Sequence, residues 1–403
     1  MKQKTIQKNS LIKRSNIITR VHKLKDSGMY PYFNAVGSTQ GATTIINNKE
    51  VLMFGSNNYL GLTGHPLIKE AAKKAIDKYG TSCTGSRFMN GTIDLHLELE
   101  NELKSFLNKE AVIIFPTGFQ VNTGVIPSIA DKDDLIFIDE LNHASIIDGC
   151  RMSFARKIKY RHNDMGDLHQ KLERHKTNKN INRLIISDGI FSMDGDIAKL
   201  DIITQLAHQY NSLIMVDCAH SIGVIGKNGS GTASYFNITE DVDLIGGTFS
   251  KSLASVGGFV AGSSEMIEYL SHVSRSYMFS ASLPPASSAA ALAALKLIRH
   301  DDSFRMNLWD NTHYAIRLMK ENGLDIGNAE TPIIPIYIRN SFNTFKIAKA
   351  LLDNGIYVNP VVAPGVKETD ALLRFSLTAL HTKKQIEYSI NRIAKLFHKF
   401  CIL

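Results

Sequence analysis

Lys251 lies in a run of small and hydroxyl residues, Gly246-Gly247-Thr248-Phe249-Ser250-Lys251-Ser252-Leu253-Ala254-Ser255-Val256-Gly257-Gly258. Apolar residues lead in (Leu244-Ile245) and out (Phe259-Val260-Ala261). Such surroundings desolvate an ammonium, lower its pKa and leave a neutral amine for Schiff-base chemistry. Thr248 and Ser250 add hydroxyls suited to a phosphate. Alone, the run is equally a lysine in a tight hairpin.

Four other runs carry polar clusters just after an apolar stretch. Pro116-Thr117-Gly118-Phe119-Gln120-Val121-Asn122 offers a glycine at the start of a helix, where backbone N–H groups and the helix dipole attract an anion. Asp139-Glu140-Leu141-Asn142-His143-Ala144-Ser145 presents a histidine able to stack on a planar ligand or move a proton. Asp188-Gly189-Ile190-Phe191-Ser192-Met193-Asp194-Gly195-Asp196 is turn-rich, with a hydroxyl at Ser192. Asp217 follows Leu213-Ile214-Met215-Val216 directly, and His220 comes three residues later. A carboxylate at the mouth of a dry strand needs a cationic partner, and a protonated pyridine nitrogen would serve. Each cluster also reads as an ordinary turn, cap or structural histidine. An amine, a carboxylate and a phosphate cradle in succession are the parts that pyridoxal 5'-phosphate requires.

The elements that must position these residues follow from periodicity. Residues 1–30 read as an arm with a weak helix. Short strands are expected at 43–46 and 51–54, and an amphipathic helix from Pro66 to about Lys78. From 93 to 263 helices alternate with apolar strands at 111–115, 135–139, 184–187, 213–217 and 244–245. That is the pattern of an α/β fold with a mostly parallel sheet covered on both faces, whose ligand sites lie at the carboxyl ends of strands. After Pro284-Pro285 come helices at 286–300 and 302–322, a strand at 333–338, a helix at 342–353, strands at 357–362 and 372–378, and a closing helix from Lys383. The expected division is an N-terminal arm and small segment (1–55), a large cofactor-binding domain (56–285) and a smaller α/β C-terminal domain (286–403).

These residues resemble the α-oxoamine synthases, a branch of the fold-type-I pyridoxal-phosphate enzymes. The resemblance spans about residues 30–398. It rests on Asn57-Asn58-Tyr59-Leu60-Gly61-Leu62, Gly85-Ser86-Arg87 with Asn90-Gly91-Thr92, and His96 followed by Leu99-Glu100. The 188–196 run, Thr248-Phe249-Ser250-Lys251, and Arg374 with Thr378 and His381 complete it. Within the family, Tyr30-Pro31-Tyr32-Phe33, the 52–57 and 143–149 runs and Phe279-Ser280-Ala281-Ser282-Leu283-Pro284 are similar to the bacterial serine palmitoyltransferase branch. The resemblance implies that Lys251 anchors the cofactor covalently and then takes the substrate Cα proton. It implies that Asp217 holds the pyridine nitrogen protonated, His220 bonds the ring's phenolic oxygen and His143 stacks on the ring. Gly118, Phe119, Thr248 and Ser250 would bind the phosphate, with Ser280 reaching in from a second subunit. Ser192 would also face the cofactor, and Asn58, Arg374 and Thr378 the amino-acid substrate. The implied reaction is a decarboxylating condensation of a small amino acid, L-serine, with a long-chain acyl-CoA by a homodimer whose sites lie at the subunit interface. Other amino acids on the same chemistry, an aminotransferase or lyase, and a binding protein with a vestigial site are the alternatives. One departure is Cys218, where many relatives carry an acid.

Bulk properties bound the rest. The chain has 403 residues, 44% hydrophobic and 21% charged, with net charge +8. Residues 1–25 hold Lys2, Lys4, Lys8, Lys13, Arg14, Arg20, Lys23 and Lys25 and no acid, which equals the whole excess. The basic character therefore belongs to a tail and not to a nucleic-acid-binding body; the tail is a solvated arm or a weak contact to anionic lipid. No signal-peptide core or membrane-spanning run is seen, so a cytoplasmic enzyme, peripheral at most to the inner face of the membrane, is expected. Cys83, Cys150, Cys218 and Cys401 show no metal-like spacing; reduced thiols and no metal are expected.

Overall fold

The computed structural model describes residues 17–176 and 181–402. A hairpin of β1 (Thr43–Ile46) and β2 (Lys49–Met53) comes first. Next come β3 (Ala111–Phe115), β4 (Leu135–Asp139), β5 (Arg156–Tyr160), β6 (Arg183–Asp188), β7 (Leu213–Asp217), β8 (Leu244–Thr248) and β9 (Gly258–Gly262). They form one seven-stranded sheet in the order β3, β9, β8, β7, β6, β4, β5. Only β9 runs against the other six. The fold is thus the α/β arrangement expected, with a mostly parallel sheet. Its central strands are buried along their whole length because helices cover both faces.

β5 was not anticipated from sequence. Its Arg-Lys-Ile-Lys-Tyr composition carries no apolar run, and only Tyr160 is fully buried. It is an edge strand, where exposed cations discourage pairing with another chain. A second difference lies at 357–362, expected as one strand. Here β11 (Ile356–Tyr357) pairs parallel with β2, while β12 (Asn359–Val361) pairs with β13 (Leu372–Ser376). The chain changes sheet at Val358, and Pro360 is tolerated because β12 is an edge strand. β10 (Ile333–Tyr337) lies on the other side of β13, opposing Pro335 to Arg374.

The helices begin where sequence predicts. Pro66–Tyr79 has proline in its first turn. Pro285–His300 packs against it and against Asp94–Leu107. Several motif residues are structural. Arg87 donates two hydrogen bonds to Glu100, 2.7 and 3.1 Å, and a third to Thr92. Glu100 also accepts the Ile114 N–H, tying β3 to this helix layer. His381 stacks on Phe54 at 4.1 Å and bonds the Met53 carbonyl. The arm's described part is a helix, Ile17–Asp26, carrying Arg20, Lys23 and Lys25; the tail's other five cations lie outside the described residues. All four cysteines are free, and no cluster of metal-ligating residues occurs among the described residues.

Candidate active site

Because β3, β4, β6, β7 and β8 run in one direction, their carboxyl ends open on one edge of the sheet. A cavity of about 300 Å³ lies there, lined by Gly118, Phe119, His143, Asp188, Asp217, His220, Thr248, Ser250 and Lys251 among others. Eight of these nine are the residues that sequence singled out.

Asp217 ends β7 and is buried. Asn122 Nδ2 donates to its Oδ2 at 2.7 Å, and the Ala219 N–H to its Oδ1 at 2.9 Å. Its neighbour in register on β6 is Asp188, whose Oδ2 accepts the His143 N–H at 2.7 Å. Burial, and then the charge of Asp217, push the Asp188 carboxyl well above the usual range.

His143 caps the helix Ala144–Met152 and shares a 2.7 Å hydrogen bond with Ser145 Oγ. Ser145 also accepts from Asn122, so one amide holds both the carboxylate and the support of the histidine. The His143 pKa is lowered, first by burial and also by Lys251, with Asp217 opposing. His220 is buried, and its pKa is pushed well below the usual histidine range by burial and then by Lys251, Arg374 and His143. Its Nδ1 lies 2.7 Å from the Tyr59 hydroxyl. Burial lowers the Lys251 ammonium to about 8, with Asp217 opposing and Arg374 adding to the shift.

The far end of the cavity is a cradle. Thr117 caps the helix Gly118–Ile129, accepting the Gln120 N–H, and leaves the first N–H groups facing out. Thr248 Oγ1 lies 2.9 Å from Ser250 Oγ and donates to the Gly257 carbonyl at 2.8 Å. A Cβ on residue 118 would lie 2.8 Å from the Thr248 Cβ, so only glycine lets helix and strand end close this far. Gly257 holds φ +133°, also a glycine conformation. Amine, carboxylate, two neutral imidazoles and an anion cradle fit pyridoxal 5'-phosphate by the chemistry of the donors.

Asn58, Ser192, Ser280, Arg374 and Thr378 do not line this cavity. Arg374, buried on β13, is connected to it: its Nη2 donates to Tyr59 at 3.4 Å, and its Nε to the Ser192 carbonyl at 2.6 Å. Asn58 Nδ2 donates to Gln40 O and Thr63 Oγ1, while its buried Oδ1 has no partner. The Thr378 N–H donates to His381. Ser280 Oγ accepts from Gln120 Nε2 at 3.0 Å. Sequence reasoning did not single out Tyr59, Asn122, Ser145 or Asp188. All four stood inside runs read from the sequence; Asn122 and Ser145 act through other residues, and only packing reveals that.

The family described as aminotransferase class I and II matches residues 49–393. A serine palmitoyltransferase from Sphingobacterium spiritivorum is 51% identical over 392 residues, covering 97% of this chain and 98% of the relative. An 8-amino-7-oxononanoate synthase from Thermoanaerobacter pseudethanolicus is 42% identical over 377 residues, covering 94% and 95%. A solved structure of serine palmitoyltransferase from S. paucimobilis, with a bound PLP–myriocin aldimine, superposes with a TM-score of 0.94 at 32% identity, covering 98% of this chain and all of that one.

Proposed function

The chain belongs to the class I and II aminotransferase family and, within it, to the α-oxoamine synthases, and from that premise we propose that it joins L-serine to a long-chain acyl-CoA. CoA and CO2 leave, and the product is a 2-amino ketone, 3-ketodihydrosphingosine when the acyl group is palmitoyl. This would be the first step of sphingolipid synthesis. The observation that carries the reading is the convergence of Lys251, Asp217, His220 and His143 on one cavity with the Gly118–Thr248 cradle.

Pyridoxal 5'-phosphate is the cofactor, and when bound it supplies an electron sink conjugated to the substrate Cα. Lys251 Nζ would hold the cofactor covalently, and its amine would be the base for the substrate Cα proton. Asp217, fixed by Asn122, keeps a proton on the ring nitrogen. His220, neutral and held by Tyr59, would donate to the phenolic oxygen, and His143 would cover the ring face. Gly118, Phe119, Thr248 and Ser250 hold the phosphate. Arg374 grips the amino-acid carboxylate with its planar fork, assisted by Asn58 and by Thr378; the Ser192 carbonyl accepts from Arg374 Nε beside them. That grip sets the direction of the Cα–H bond.

We assign the active enzyme to a homodimer in which the partner's copy of Ser280 completes the phosphate site. Phe279, Phe154, Met152 and Tyr269 are exposed beside the site and line a groove of about 1180 Å³. A groove with four exposed large apolar side chains suits a covered interface. The division at 55/56 and 285/286 belongs to the same reading, supported by β2 pairing with β11 of the C-terminal segment. The enzyme is assigned to the cytoplasm, with weak contact to the inner face of the membrane through the basic tail. No helix among the described residues is long and apolar enough to cross a membrane. Deleting residues 1–25 and measuring binding to anionic vesicles tests that contact.

The runner-up is another α-oxoamine synthase, favoured by the 42% identical 8-amino-7-oxononanoate synthase. A panel of L-serine, L-alanine, glycine and L-cysteate against acyl-CoAs of several lengths, scored by CoA release, decides between them. Highest kcat/KM for L-serine with a C16 acyl group supports the proposal. A clear preference for L-alanine or a short acyl group overturns it.

A further inference from the structure

One histidine outside the cavity has a carboxylate against each of its ring nitrogens. His162 lies two residues past the end of β5, with its side chain 22% exposed. Its Nδ1 lies 3.0 Å from Asp139 Oδ1, at the end of β4, and its Nε2 3.1 Å from Asp196 Oδ2. Both ring nitrogens meet carboxylate oxygens, which only accept. A neutral imidazole would set a lone pair against one of them, so the geometry requires the doubly protonated form. The acids need that charge as well. Asp139 is 1% exposed and accepts two further N–H bonds, from Leu141 and Asn163. Asn163 Nδ2 reinforces the bridge by donating to Asp196 Oδ2 and to the Ile197 carbonyl. Phe191 packs edge-on against the ring at 4.4 Å.

What the bridge holds is the 190–197 loop. That loop is closed on itself by an Ile190–Ile197 pairing and by Phe191–Asp196 and Gly195–Phe191 backbone bonds. It is also the surface on which the antiparallel sheet rests. Tyr337 donates to Asp194, the Ile197 N–H to Glu330, and Arg374 Nε to the Ser192 carbonyl. The Ser192 bond is the shortest that Arg374 makes, at 2.6 Å.

We propose that His162 is a positioning residue for the amino-acid carboxylate: as a cation clamped between Asp139 and Asp196 it fixes the 190–197 loop, and the Ser192 carbonyl of that loop aims the Arg374 guanidinium. The inference rests on the reading of Arg374 as the carboxylate grip.

The test uses the holoenzyme and two ligands followed by cofactor absorbance, L-serine and L-serinamide, which lacks the carboxylate. His162→Gln is expected to weaken L-serine binding about tenfold, the scale of one charge-assisted hydrogen bond, and to leave L-serinamide binding unchanged. The KM for L-serine follows, while the KM for acyl-CoA does not. His162→Gln combined with Arg374→Lys is expected to be little worse than Arg374→Lys alone, since both act through one group. Equal weakening of both ligands, or of neither, overturns the clamp. If Arg374→Lys weakens both ligands equally, the carboxylate reading itself is overturned, whatever His162→Gln does. Should His162→Gln not accumulate folded, Asp196→Asn keeps the hydrogen bonds, removes one charge, and is read by the same outcomes.

Discussion

The Tyr59 hydroxyl lies 2.7 Å from His220 Nδ1 and accepts from Arg374 Nη2 at 3.4 Å, joining the cofactor's side of the site to the substrate's. Tyr59 is 1% exposed, so no water takes its place readily. Tyr59→Phe leaves a buried histidine nitrogen without its partner, a cost of about 1–3 kcal/mol. The expected outcome is a lower Tm together with a fall of about tenfold or more in kcat/KM for L-serine. Steady-state kinetics beside a melting curve measure both. Unchanged kinetics with a lowered Tm would show the tyrosine to be structural only.

Lys251→Ala is expected to lower kcat by at least about a thousandfold, since it removes both the covalent anchor and the base. Turnover at the normal rate would sink the mechanism. The pH dependence of cofactor capture by the cofactor-free wild-type protein gives a second reading. The neutral amine is the nucleophile, and burial lowers its ammonium to about 8. The neutral fraction therefore rises through pH 8 and levels off above it, instead of rising through 10.5. Stopped-flow absorbance after mixing with pyridoxal 5'-phosphate, from pH 6.5 to 9.5, is expected to show that plateau.

The fold and the cavity were legible for one reason: the chemistry sits at the carboxyl ends of strands that are apolar throughout. Asp217 after Leu213-Ile214-Met215-Val216 is visible as a break in an apolar run, and so are Thr248 and Lys251 after Leu244-Ile245. β5 was invisible because an edge strand carries its charges outward and has little apolar pattern. The change of sheet at Val358 was invisible because β propensity does not say which sheet a strand joins. Asn122 and Ser145 close two of the polar runs, but nothing in those runs says which side chains they support. What matters is that Asn122 reaches Asp217 across 95 residues of chain.

Gly118→Ala isolates the phosphate cradle. The added methyl would meet the Thr248 Cβ at 2.8 Å and Oγ1 at 2.9 Å. Thr248 cannot step aside freely, because it is buried and bonded to the Gly257 carbonyl. The helix start must back away, taking its N–H groups with it. The expected result is a loss of at least about tenfold in affinity for pyridoxal 5'-phosphate, on the scale of overpacking at 1–3 kcal/mol. Affinity for pyridoxal, which lacks the phosphate, should change little. Equilibrium dialysis of cofactor-free protein against each compound separates the two, and an equal loss for both would place the damage outside the cradle.

His162 also sets the direction in which stability responds to pH. Burial opposes its charge, but the hydrogen bonds and charges of Asp139 and Asp196 prevail and push its pKa up to about 10, from an ordinary 6.5. The folded state therefore binds this proton more tightly than the unfolded chain does. Its contribution is fully present below about pH 6.5 and is lost as pH rises toward 10, where the imidazolium of the folded state deprotonates. Between those limits the wild-type Tm should fall with a slope that His162→Gln lacks, so the two melting curves converge as pH approaches 10. Salt should change this difference little, because the bridge is mostly buried and poorly screened. Differential scanning calorimetry at half-unit steps from pH 6 to 10 measures it. A constant gap between wild type and variant across that range would mean that the histidine is neutral in the folded protein.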